Sequence, residues 1–86
     1  MPYIKQEDRE KFYREHNLTY MAELCETPGE LNYAITSILH EYIYSHGKSY
    51  ATFNEMIGVL ECAKMELYRR KIAPYENEKI KENGDV

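Results

Sequence analysis

Residues Thr27-Pro28-Gly29-Glu30 constrain the fold more than any others, because they fix where a helix begins. The Thr27 hydroxyl can accept a hydrogen bond from the Glu30 backbone N–H as N-cap. Pro28 takes the first helical position, where its missing N–H would have had no partner anyway. Glu30 can reach back to the Thr27 N–H and close a capping box. Thr52-Phe53-Asn54-Glu55 has the same form and predicts a second helix start.

Helical spacing follows each box. Leu31, Ala34, Ile35, Ile38 and Tyr42 form an apolar stripe, widened by Leu39 and Ile43, that predicts a helix from Pro28 to Ser45 or His46. Gly47 supplies the left-handed residue that ends it. Met56, Leu60, Ala63 and Leu67 predict a further helix from Thr52 to Ile72, stopped by Pro74. Gly58 within it costs about 1 kcal/mol relative to alanine, an expense that close helix–helix approach would explain. Residues 6–25 are helix-rich, with Leu18, Met21, Ala22 and Cys25 on one face and a weak point at His16-Asn17. Residues 1–5 form a lead-in, and residues 73–86 read as a polar, exposed tail. The expected fold is all-α: a single helical domain, 1–86, of three helices. The second and third are expected to form a long antiparallel hairpin through residues 46–51.

A chain of 86 residues buries a limited share of its surface, and its apolar stripes are wide. Self-association into a symmetric dimer or tetramer is the expected remedy. The net charge of −4 argues against general binding of duplex DNA or RNA, which needs a basic footprint. No apolar run reaches the length of a membrane span, and the first residues lack the apolar core of a signal peptide. A cytoplasmic protein with Cys25 and Cys62 as free thiols is expected.

Candidate chemistry concentrates at Arg69-Arg70-Lys71, the only dense basic cluster. Its plain reading is favourable placement in the last turn of a helix. Its functional reading is anion binding, since guanidinium forks match phosphate oxygens. Tyr68 and Tyr75 bracket the cluster, and Tyr50 precedes the helix that carries it; Tyr50 and Tyr75 are expected on loops. Tyrosine beside arginine suits stacking on a base while holding its phosphate. Tyr50, Tyr68, Arg69, Arg70 and Tyr75 are therefore the candidate ligand-binding residues. Asn32 and Asn54, in first helical turns, more simply decorate helix starts.

Other chemistries lack their residues. His40 and His46 do not share a helix face, HExxH and CxxC motifs are absent, and no metal or other cofactor is expected. No nucleophile elbow, P-loop or dinucleotide fingerprint occurs. Carboxylates such as Glu55, Glu61 and Glu66 read as a solvated face. The expectation is a protein that is not an enzyme; a small nuclease or phosphodiesterase using scattered carboxylates is the third-ranked alternative.

The stretches TPGELNYAIT (27–36), SYATFNEMIGVLECAKMELYRR (49–70) and APYENEKIKENGDV (73–86) resemble a family of short helical proteins of bacteriophages and bacterial genomes. The resemblance covers nearly the whole chain, with residues 7–26 the loosest part, and it carries no catalytic signature. The chain also resembles small phage proteins of the anti-CBASS sponge type, which form oligomers. That resemblance implies uncleaved sequestration of a cyclic oligonucleotide immune signal, such as a cyclic dinucleotide, in a pocket where subunits meet. The roles given to the five candidate residues rest on their own chemistry. The alternative is a helical protein-interaction adaptor with no small-molecule ligand.

Overall fold

Helix α3 (Pro28–His46) begins where the capping box places it. The Glu30 N–H donates to Thr27 Oγ1 at 3.1 Å. The Glu30 carboxylate accepts from the Glu26 N–H at 3.0 Å, one residue further back than the Thr27 N–H expected for it. The helix ends at Gly47, whose φ of 88° is open to glycine and strained for other residues, and the Gly47 N–H donates to the Ile43 carbonyl at 2.8 Å.

The computed structural model describes residues 3–15 and 17–86, and it is all-α, with no strand among those residues. It falls into two units, Tyr3–Asn54 and Glu55–Val86. In the first, a short helix α1 (Gln6–Arg9) runs into a single 3₁₀ turn, Glu10–Phe12. Helix α2 (Leu18–Leu24) then starts afresh, with Asn17 as N-cap accepting the Tyr20 N–H at 2.9 Å. The weak point of the first segment is thus a restart, capped by a residue suited to it. His16 and the first two residues of the lead-in lie outside the described residues.

Helix α4 (Tyr50–Leu67) starts two residues before its expected position. Ser49, and not Thr52, takes the capping role: its hydroxyl oxygen accepts the Thr52 N–H at 3.1 Å. The Ser49 hydroxyl in turn donates to Thr52 Oγ1 at 3.0 Å. Either residue has the chemistry of a cap. Using the earlier one adds Tyr50 and Ala51 to the helix.

The larger correction concerns Pro74 and the tail. The chain continues from α4 through a wide π-type turn, Tyr68–Ile72, into helix α5 (Ala73–Asn83), giving one uninterrupted helix of 34 residues. In a regular α-helix, Pro74 would lack the N–H that bonds the Arg70 carbonyl, and its ring would collide with that carbonyl. Here the Ala73 N–H donates to the Tyr68 carbonyl, five residues back. The turn ahead of the proline holds one extra residue, which makes room for the ring. The polar tail is helical as far as Gly84, with φ 88°, whose N–H donates to the Ile80 carbonyl at 2.8 Å.

What these elements lack is a core of their own. Met56 is the only described apolar residue that is buried. Leu31, Ile35, Ile38, Ile57, Val59 and Leu67 are all exposed, and so is Tyr44, at 85%. Gly58 was expected to mark a close approach, but a Cβ built there meets nothing within 4 Å.

Candidate functional site

The second unit carries four of the five candidate residues. Tyr68 opens the wide turn, Arg69 and Arg70 follow within it, and Tyr75 lies in the first turn of α5. Tyr75 is therefore helical and not on a loop, because the helix survives Pro74. Tyr50 is the first residue of α4, also not a loop residue, and belongs to the other unit; it is 87% exposed.

Tyr68 and Arg69 share one concavity of about 530 Å³, together with Lys64, Met65 and Glu66. Helical spacing brings these side chains together: Lys64 and Met65 lie three or four residues before Tyr68 and Arg69. Sequence reasoning passed over Lys64 and Met65 and read Glu66 as part of a solvated face, although that spacing from the basic cluster was the signal available. Arg70 and Tyr75 are not among the lining residues.

The electrostatics of this hollow are balanced. Arg69 is ion-paired with Glu66, whose side chain is half-buried. Lys64 Nζ lies 2.9 Å from Glu61 Oε1. The Lys79 ammonium stands 5.4 Å from the centroid of the Tyr75 ring, at cation–π distance. An anion entering here would have to compete with the two glutamates for the same cations.

Tyr68 is anchored at its polar tip. Its hydroxyl donates to Glu76 Oε1 at 2.8 Å. That bond raises the pKa of the phenol above its ordinary value; the negative charge of Glu76 adds to the effect, and partial desolvation adds least. Tyr68 is thus held as a neutral donor, with its ring half exposed beside Arg69.

A second concavity, of about 440 Å³, lies in the first unit and is lined by His40, Ile43, Tyr44 and Lys48. On the same helix, the Tyr42 and His46 rings stack with centroids 3.9 Å apart and planes at 12°. The His46 Nδ1–H donates to the Tyr42 carbonyl at 3.1 Å, which fixes the ring's tautomer because a carbonyl can only accept. No cluster of three or more His, Cys, Asp or Glu residues among the described residues is placed to hold a metal ion. Cys25 and Cys62 are both free thiols.

A family model described as a domain of unknown function, DUF6899, matches residues 1–86. The chain belongs to the DUF6899 family. No curated protein and no solved structure matches it. Within this DUF6899 chain, no helix among the described residues is long and apolar enough to cross a membrane.

Proposed function

We propose that this chain works by binding, without turnover, as one subunit of a homo-oligomer in the cytoplasm. One observation supports this most strongly: helices with apolar stripes bury only Met56 among their described apolar residues. Obligate assembly is the ordinary way for so small a chain to remove such surface from water.

The ligand we propose is a cyclic oligonucleotide, sequestered whole between subunits in the manner of a phage anti-CBASS sponge. Support comes from the half-exposed Tyr68 ring beside Arg69, in a hollow with room for part of a base. A neighbouring subunit would supply the remaining walls. Arg70, the next residue round the helix, and Tyr75, about two turns beyond Tyr68, would extend the site toward a second phosphate or base.

A second reading, a protein-interaction adaptor, draws on a different observation. The cations of the hollow already face Glu66 and Glu61, and its apolar lining residue Met65 is exposed. That pattern suits a protein surface as well as a phosphate. Titration calorimetry of the purified oligomer with a panel of cyclic di- and trinucleotides separates the two. Saturable heat and recovery of intact ligand after heat denaturation are expected for the sponge. Absence of heat with every member of the panel, or a cleaved product, overturns it.

A further inference from the structure

The concavity of about 440 Å³ in the first unit differs from the hollow at Arg69 in the state of its polar groups. His40, Ile43 and Tyr44 share one face of α3, at spacings of three and four. Ile43 is half-buried and gives an apolar floor, while His40 is exposed and Tyr44 is 85% exposed. Lys48 completes the lining from beyond the helix end. Gly47, at φ 88°, turns the chain out of α3, and Lys48 comes to line the same space as a residue two turns earlier in the helix.

Each polar side chain of this lining can donate a hydrogen bond: an imidazole, a phenol and an ammonium. No carboxylate is among them; Glu41, next to His40 in sequence, is not part of the lining. Among the described residues, no ion pair or hydrogen bond engages the side chains of His40, Tyr44 or Lys48. Arg69 and Lys64, in the other hollow, are both ion-paired. The negative end of α3 would by itself oppose an anion. It is blunted here, because the Gly47 N–H donates to the Ile43 carbonyl at 2.8 Å and the His46 Nδ1–H to the Tyr42 carbonyl at 3.1 Å.

We propose that this concavity binds a small phosphate monoester carrying a planar ring, the chemistry of a nucleoside monophosphate. Lys48 supplies the charge for the phosphate, as a point charge on a flexible stem. His40 supplies a second donor from the other side. A terminal phosphate has three free oxygens and can meet donors from two sides, where a carboxylate offers two oxygens in one plane. The Tyr44 ring, between His40 and Lys48 in sequence, offers an open face on which a planar group stacks. The volume falls within the range of small-molecule sites. All four residues belong to the first unit and lie outside the proposed oligonucleotide site, so the two readings stand or fall separately.

Phenyl phosphate is the probe, titrated into the isotope-labelled full chain and followed by amide NMR. Saturable shifts at His40, Tyr44, Gly47 and Lys48 are expected. Inorganic phosphate should move the same residues with lower affinity, since it lacks the ring. Lys48→Gln should weaken phenyl phosphate about tenfold, as loss of a charge-assisted hydrogen bond does. Tyr44→Ala should bring its affinity down to that of inorganic phosphate. Both positions are exposed, and spectra that otherwise match the wild type verify that each variant is folded. Shifts that never saturate, shifts centred on Arg69 and Arg70, or an unchanged affinity in folded Lys48→Gln overturn the site. Equal affinity of the wild type for phenyl phosphate and inorganic phosphate overturns the planar ring as part of the ligand.

Discussion

The Tyr68 hydroxyl donates to Glu76 Oε1 at 2.8 Å, across eight residues of a continuous helix. In a regular α-helix, residues seven apart lie nearly on one line, and residues eight apart do not. The extra residue held between Tyr68 and Ile72 brings the pair into line, so the bond is a consequence of the wide turn and spans Pro74. Because the phenol's pKa is raised, the bridge contributes stability that is present below the ordinary tyrosine value, near 10, and lost as pH rises through the raised one. Glu76→Gln removes the charge and should return the Tyr68 titration toward the ordinary value. Tyrosine-ring carbon NMR over an alkaline titration reads this directly; a titration unchanged in Glu76→Gln would show that Glu76 is not the cause.

The two caps give a paired prediction. Thr27→Ala and Ser49→Ala each leave a helix-start N–H without its side-chain acceptor, and each should cost about 1 kcal/mol. Both should lower the thermal midpoint followed by circular dichroism. If Thr52→Ala proved costly and Ser49→Ala silent, α4 would begin where the sequence alone had placed it.

Gly58 carries the opposite expectation. A Cβ at this position meets nothing within 4 Å, and the residue lies inside α4. Gly58→Ala should stabilise the helix by about 1 kcal/mol. A raised thermal midpoint with unchanged oligomer size is expected. A lowered midpoint or a smaller oligomer would place Gly58 at a tight contact between copies.

Pro74→Ala separates helix stability from register. With the N–H restored, the turn can relax to ordinary α geometry. Tyr68 and Glu76 would then fall out of line and their hydrogen bond would be lost. Helicity should hold or rise while the Tyr68 titration returns toward its ordinary value, as read by circular dichroism and tyrosine-ring NMR. An unchanged Tyr68 titration would show that the wide turn does not set this bond.

These residues also show what the sequence made legible. The start and end of α3 were readable because Thr27, Pro28 and Gly47 each have one conformational preference that dominates locally. The restart at Asn17 was readable as a weak point for the same reason. Ser49 and Thr52 compete for one role, and which of them wins is a matter of two residues of helix length. Pro74 misled because its usual effect is to stop a helix, and a π-type turn leaves no compositional mark. Gly84, which ends α5, reads equally well as a turn residue, so the helical tail stayed hidden. At the candidate site, the nearness of Tyr68 and Arg69 followed from their adjacency. Their engagement by Glu76 and Glu66 depended on the register of the turn and on which rotamers paired.

Sedimentation velocity of the wild-type chain, run from high nanomolar to high micromolar concentration, tests the central claim most directly. Dimers or larger species are expected throughout the range in which the chain is helical, with helicity falling as they dissociate. A monomer that keeps its full helicity and melts cooperatively at the lowest concentration would contradict it.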